Sequence, residues 1–229
     1  MIAIDGQAVK PFTAKEPIVV GAAGRVDLVL DMIGEPGSIM PVVDSFYRDS
    51  FDLTKFVYEE KPLRESALTS AIDLAPPEIP DPDQSDAMAV DVTIAGGAMG
   101  GLRRAQLNGE WMSLRDIAQQ GYLWAINDVV GNKLDMPPLI DTQKGSSIRL
   151  TLRNETAFPH PMHLHGHHMK LLSVDGQLLS DPRWVDSPLL MPKQTMELAF
   201  VADNPGDWLF HCHALEHHAA GLGSLVRIT

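Results

Sequence analysis

Residues 210 to 218, with the sequence FHCHALEHH, concentrate side chains that bind metal ions well. Cys212 is the one cysteine among 229 residues, and it stands between His211 and His213. Successive side chains of a β-strand point to opposite faces, so the two imidazoles would share one face and the thiolate would occupy the other. The segment can therefore join two metal sites through one short covalent path.

A second histidine-rich segment, HPMHLHGHH at residues 160–168, repeats this spacing. His163 and His165 are two residues apart, so on a strand they would point to the same face. All nine histidines of the sequence fall between positions 160 and 218, which indicates a metal site rather than scattered core histidines. Three histidines are surplus to the pattern, and we expect structural or exposed positions for them: His167, His168 and His218.

A thiolate with two imidazoles is the ligand set of a blue-copper site. Cys212 and His217 are five residues apart, so a loop can close around one ion, and His160 can supply a third ligand from the other segment. The weak axial position would fall near Leu222, which offers no sulfur; this would favour Cu(I) and raise the reduction potential. Zinc also binds Cys and His, but a structural zinc site would not explain the additional His-x-His pairs.

Alternating apolar and polar side chains predict an all-β sandwich or barrel. Residues 147–153, 195–201 and 25–32 alternate with a period of two, which is typical of strands with one buried face. Glycine and proline pairs separate such runs and indicate tight turns. Residues 49–64 are compatible with a helix or with irregular structure.

A proline- and aspartate-rich stretch divides the chain. Residues 75–86, APPEIPDPDQSD, cannot pack a core and predict a linker between an N-terminal part, 1–74, and a domain over 87–229. The net charge of -12 disfavours nucleic acid as a partner, because an acidic surface repels phosphates. No apolar run is long enough for a membrane span, and the first residues lack the pattern of a signal peptide.

The two histidine motifs, HPMHLHGHH at 160–168 and HCHALEHHAAGL at 211–222, resemble those of the multicopper oxidases, a laccase-like family built from cupredoxin domains. The resemblance extends over residues 105–229, and residues 2–32 resemble the late part of the second domain of a three-domain oxidase. It implies a cupredoxin-like Greek-key β-sandwich or barrel over 87–229, preceded by a partial second cupredoxin domain at the N-terminus.

The resemblance also implies roles for individual residues. Electrons from phenols, aromatic amines or metal ions would enter at a type 1 copper and pass along Cys212 to His211 and His213. Dioxygen would be reduced to water at a trinuclear copper cluster. The implied ligands are His160, Cys212 and His217 for type 1 copper with Leu222 at the axial position, His163 for type 2 copper, and His165, His211 and His213 for type 3 copper.

The sequence departs from the family pattern in its number of histidine pairs. The trinuclear cluster of the family takes eight histidines in four His-x-His pairs, and this sequence has two such pairs for it. We therefore expect the C-terminal part of an oxidase, with type 2 and type 3 copper bound only when a further N-terminal cupredoxin domain is supplied. Two alternatives are an isolated electron-transfer cupredoxin and a subunit completed by a separate chain. The resemblance implies a periplasmic or secreted protein.

Overall fold

The computed structural model describes residues 1–14, 17–61, 66, 68–70, 72–131 and 136–229, and within them it contains eighteen strands and two short helices. The N-terminal strands are β1 (Ala3–Ile4), β2 (Gln7–Ala8), β3 (Val26–Asp27), β4 (Ile39–Asp44) and β5 (Phe51–Val57). The strands that follow are β6 (Met88–Gly96), β7 (Arg104–Leu107), β8 (Glu110–Ser113), β9 (Trp124–Ile126), β10 (Ile140–Thr142), β11 (Ser147–Asn154), β12 (His160–Leu164), β13 (Met169–Val174), β14 (Gln177–Val185), β15 (Leu189–Leu190), β16 (Thr195–Val201), β17 (Gly206–Cys212) and β18 (Gly223–Ile228). The helices are α1 (Leu114–Gln119) and α2 (Leu215–Ala219).

Two large sheets form a sandwich. One has the strand order β14-β13-β16-β11-β6-β9, and the other has the order β10-β18-β17-β12-β15. Most pairs are antiparallel, while β6 with β11 and β10 with β18 are parallel, so the chain crosses between non-neighbouring strands. Leu150 and Phe200 of the first sheet share one buried core with Met162 and Phe210 of the second. The predicted all-β cupredoxin-like sandwich is confirmed.

The strands predicted over residues 147–153 and 195–201 are present. Strand β11 buries Ile148, Leu150 and Leu152 on one face, and these side chains are at most 1% exposed. Strand β16 has the bounds that its alternation predicts and pairs antiparallel with β11 along its whole length. In β11 the period of two marks one buried face, and in β16 Met196, Leu198 and Phe200 form the corresponding face, although Ala199 on the other face is also buried.

The strand predicted over residues 25–32 is wrong in extent, since only Val26–Asp27 is a strand. Leu28 and Leu30 are 41% and 45% exposed, so the described residues leave this aliphatic face partly open to solvent. A strand gains most of its stability from a covered face, and pairing with β1 stops after two residues.

The helical or irregular segment considered for residues 49–64 is also wrong in part. Phe51–Val57 forms β5, which pairs antiparallel with β4 through a bulge at Val42 and Val43. Residues 62–65 lie outside the described part of the chain.

The described residues between β5 and β6 contain no helix or strand. This agrees with the proline-rich composition of residues 75–86, while the boundaries at 74 and 87 stay predictions. None of the helices that the structure describes has the length and hydropathy of a membrane-spanning segment.

We predict that Leu150→Ala lowers the free energy of unfolding by about 2–5 kcal/mol, because it removes a buried side chain and leaves a cavity in the core. Leu178→Ala is the matched control, since Leu178 is 80% exposed, and a change within about 0.5 kcal/mol is expected there. Guanidinium unfolding followed by circular dichroism measures both. Equal losses for the two variants would contradict the assignment of the core.

Candidate metal centre

The antiparallel pairing of β12 with β17 arranges the candidate ligands on these strands. Met162 lies opposite Cys212, and His163 lies opposite His211. Met162 and Cys212 are fully buried in the core of the sandwich. Because side chains alternate along a strand, His163 and His211 point to the other face of the sheet. The thiol and the imidazole beside it in the sequence therefore lie on opposite faces.

The inner-face site consists of His160, Cys212 and His217. The two Nδ1 atoms of His160 and His217 are 3.1 Å apart, and they lie 3.7 Å and 3.6 Å from Cys212 Sγ. His160 and Cys212 are fully buried, and Trp124 packs against both imidazoles with ring centroids 5.0 and 4.6 Å away. Three donor atoms from β12, β17 and α2 thus converge on one point.

The hydroxyl of Thr156 sets the tautomer of His160. Thr156 Oγ1 donates to the carbonyl of Phe158 at 3.1 Å and lies 2.8 Å from His160 Nε2. Because the hydroxyl donates its one proton to the Phe158 carbonyl, Oγ1 accepts the hydrogen bond from Nε2–H of His160. His160 Nδ1 consequently carries the lone pair, and it is the atom that faces Cys212 and His217.

Burial shifts the pKa values of all three side chains of the inner-face site. It lowers the pKa of His160 to about 3, with a smaller contribution from His217. It also lowers the pKa of His217, against the opposing charge of Glu216. Burial raises the pKa of the Cys212 thiol to about 11. Both imidazoles are therefore neutral and able to bind, while a bound metal must displace the thiol proton.

The outer-face cluster consists of His163, His165, His211 and His213. The Nε2 atoms of His165 and His211 are 3.1 Å apart. The ring of His163 lies 5.0 Å from that of His165, and the ring of His213 lies 5.7 Å from His163 and 5.5 Å from His211. Four imidazoles from β12, β17 and the residues directly after these strands thus lie close together, which would allow them to bind a shared group of metal ions.

Burial and the repulsion of nearby imidazoles lower the pKa values of His165 and His211. Burial lowers the pKa of His211 to about 4, although its hydrogen bond to the Cys212 carbonyl opposes the shift. The pKa of His165 is lowered by burial first and then by His163 and other nearby imidazoles. His211 Nδ1 is 2.9 Å from the Cys212 carbonyl, so Nδ1 donates there and Nε2 is left as the ligand atom.

Two of the surplus histidines contact the outer-face cluster. His218 stacks on His211 with ring centroids 4.5 Å apart, which the sequence pattern did not indicate. His167 Nδ1 donates to the carbonyl of His165 at 3.3 Å, as a partner behind a ligand would. The third, His168, has its Nε2 3.3 Å from the carbonyl of Asp5.

Several residues that support the ligands were not indicated by any sequence pattern. Thr156 and Trp124 contact the inner-face site, and a network of Asp5, Arg25 and Asp186 lies behind His163. No local sequence pattern connects Asp5 with His163, which lies more than 150 positions later.

The inner-face donors fit copper. Among the described residues, His160, Cys212 and His217 are the one group of three metal-binding side chains whose donor atoms all lie within 4.8 Å of one another. A trigonal set of two imidazoles and one thiolate is typical of blue-copper sites. The side chain of Leu222 is fully buried in the same core, and its carbonyl accepts from Cys212 N at 3.1 Å. Its axial role stays a prediction.

Comparison with known proteins identifies the family. The multicopper oxidase profile matches residues 109–229, more than half of the chain, and the chain therefore belongs to the multicopper oxidase family. Copper is the metal that this family binds. Multicopper oxidase MmcO of Mycobacterium tuberculosis is 36% identical over 103 residues, which are 45% of this chain and 19% of that protein. Laccase-3 of Botryotinia fuckeliana is 36% identical over 116 residues, with coverages of 46% and 22%.

Solved structures agree with this fold. All of this chain superposes on 49% of a multi-copper oxidase chain from Pseudomonas thermotolerans, with a TM-score of 0.75 and 23% sequence identity. The superposition on Lac15 from a marine microbial metagenome includes 99% of this chain and 48% of the Lac15 chain, with a TM-score of 0.66 and 26% sequence identity. The chain spans about a fifth of the length of the two curated relatives and about half that of the two structures.

We predict that Thr156→Val weakens metal binding at the inner-face site about 10- to 100-fold, because His160 loses the partner that fixes its tautomer. Thr156→Ser keeps the hydroxyl and is the matched control. Competition titration with cobalt(II), followed by the thiolate-to-metal absorption, measures the affinity. Equal affinities for the Val and Ser variants would contradict the role assigned to the hydroxyl.

Proposed function

We propose that this chain carries the electron-entry site and half of the oxygen-reducing centre of a laccase-like copper oxidase. The reaction couples one-electron oxidation of phenols, aromatic amines or metal ions to the reduction of dioxygen to water. One observation carries the proposal: the Cys212 thiol lies in the inner-face site, while the residues on either side of it in the sequence belong to the outer-face cluster. Membership of the multicopper oxidase family supports it.

The residues of the inner-face site would hold type 1 copper. His160, Cys212 and His217 would supply two nitrogens and one sulfur, and Leu222, whose side chain has no donor atom, would lie at the axial position. The buried surroundings, including Trp124, exclude water from the donors. Copper, when bound at the two sites, supplies the one-electron redox chemistry and the reduction of dioxygen.

The backbone at Cys212 would connect the two sites. His211 and His213 are its covalent neighbours, and the Cys212 carbonyl also accepts the hydrogen bond from His211 Nδ1. An electron that arrives at the thiolate therefore has both a covalent and a hydrogen-bonded route to the outer face. We assign His163 to type 2 copper and His165, His211 and His213 to type 3 copper.

The outer-face cluster would be completed by histidines that this sequence does not contain. It offers four imidazoles, and the family pattern requires eight, so the partner is an N-terminal cupredoxin domain with two more His-x-His pairs. A periplasmic or secreted location belongs to the same proposal. The rival function is an electron-transfer cupredoxin without oxidase activity, which would have no use for four imidazoles gathered behind its copper site.

Anaerobic reduction of the copper-loaded chain tests the entry site. We expect an intense blue absorption that phenols, aromatic amines or Cu(I) bleach with one electron per chain. Cys212→Ser should lack the blue band, because the thiolate supplies the charge transfer. A blue Cys212→Ser variant would contradict the ligand assignment, and a band that none of these reductants bleaches would contradict the proposed substrates. Four-electron reduction of dioxygen by this chain alone would contradict the half-cluster.

We predict that Leu222→Met lowers the reduction potential of the type 1 copper, because a thioether would then be available at the axial position. Leu225→Met is the matched control, since Leu225 is a buried leucine on the following strand. Redox titration of the blue band measures both. An unchanged or raised potential in Leu222→Met would contradict the axial assignment.

A further inference from the structure

We infer that Asp5, in the turn after β1, and Arg25, directly before β3, are positioning residues that select the metal-binding tautomer of His163. They act through the turn at Asp186 and Ser187, which joins β14 to β15 and lies directly behind the imidazole. The assignment of a metal to His163 rests on the proposed function, whereas the positioning itself is a property of the metal-free chain.

Arg25 holds the Asp186 carboxylate with two contacts. Its two terminal nitrogens donate to the two carboxylate oxygens at 3.2 and 2.6 Å. Asp186 is 7% exposed, so the pair is shielded on the carboxylate side. Burial acts to raise the pKa of Asp186, but the hydrogen bonds from Arg25 and Ser187 outweigh it, and this pKa lies below its usual value. The carboxylate is therefore charged and fixed in orientation.

Asp5 holds the backbone of the same turn. Its Oδ2 accepts from the backbone N–H groups of Asp186 at 2.9 Å and of Ser187 at 3.2 Å. Its Oδ1 accepts from the backbone N–H of Arg25 at 3.0 Å, and its carbonyl accepts from the Arg25 guanidinium at 2.9 Å. Asp5 is only 3% exposed. One buried carboxylate thus ties β1, Arg25 and the turn into a single unit.

The turn presents acceptors to His163 Nδ1. The Ser187 hydroxyl donates to Asp186 Oδ1 at 2.7 Å, so its oxygen is left to accept. That oxygen lies 2.9 Å from His163 Nδ1, and the Asp186 carbonyl lies 2.8 Å from the same atom. With two acceptors in front of it, Nδ1 must carry the proton. Nε2 consequently has the lone pair and points away from the turn, which is the form that binds a metal.

Through this network, two residues of the N-terminal segment, Asp5 and Arg25, support a candidate metal ligand. An imidazole without these partners would sample both tautomers and more than one ring orientation. The loss of such outer partners typically weakens metal binding about 10- to 100-fold. His163 and Arg25 are far apart in the sequence, and the network makes one depend on the other.

Long-range proton–nitrogen NMR of the imidazole rings tests the inference in the metal-free chain. The signal of His163 is assigned by its absence in His163→Gln. We expect a single Nδ1–H tautomer in the unaltered chain. In both Arg25→Met and Asp5→Ala this should become a mixture that contains the Nε2–H tautomer, while the signals of His160 stay unchanged. Arg227→Met is the matched control, because Arg227 also contacts both oxygens of one carboxylate, that of Asp207.

Three results would overturn the inference. One is an Nε2–H tautomer of His163 in the unaltered chain. Another is a His163 tautomer that stays unchanged in Arg25→Met and Asp5→Ala. The third is a change of all nine histidine signals together in these variants, since the segment would then support the whole fold and not one ligand. Because no copper is present, these results are separate from any failure of the proposed oxidase chemistry.

Discussion

The register between β12 and β17 is the constraint on which the rest of the site depends. Opposite pairs in this register place Met162 and Cys212 on the core face and His163 and His211 on the other. A slip of one residue would exchange the two faces, bury imidazoles in the sandwich and move the thiol away from His160. The apolar core that fills the inner face therefore fixes the position of the metal ligands.

Burial then decides the chemical state of those ligands. Burial in the core lowers the pKa of the His160 imidazole and raises the pKa of the Cys212 thiol. Hydrogen bonds determine which nitrogen of the His160 and His163 rings carries the proton. Thr156 accepts a hydrogen bond from Nε2 of His160, and the turn behind His163 accepts one from Nδ1. Opposite ring nitrogens are therefore left to bind metal in the two sites. The supporting residues thus determine which nitrogen of each of these two imidazoles is available to a metal.

The sequence alone was sufficient for the parts of the molecule that depend on local pattern. Strands β11 and β16 were predictable because a period of two appears wherever one face is buried. The His-x-His spacing predicted which imidazoles share a face. The strand over residues 25–32 was mispredicted because alternation does not reveal whether another layer covers it. The network at Asp5 could not be predicted for a different reason. Its partners, Arg25 and Asp186, are 20 and 181 positions away in the sequence, so no local pattern connects them.

Copper titration of the purified chain, with the metal quantified per chain beside the visible and electron paramagnetic resonance spectra, tests whether His160, Cys212 and His217 bind type 1 copper. We expect the inner-face site to bind one copper with an intense blue band and the narrow hyperfine splitting of a thiolate-bound ion. Copper bound without that band, or a first equivalent bound by the outer-face histidines alone, would contradict it. So would near four coppers per chain with a magnetically coupled pair, because the four outer-face imidazoles would then suffice for the whole cluster.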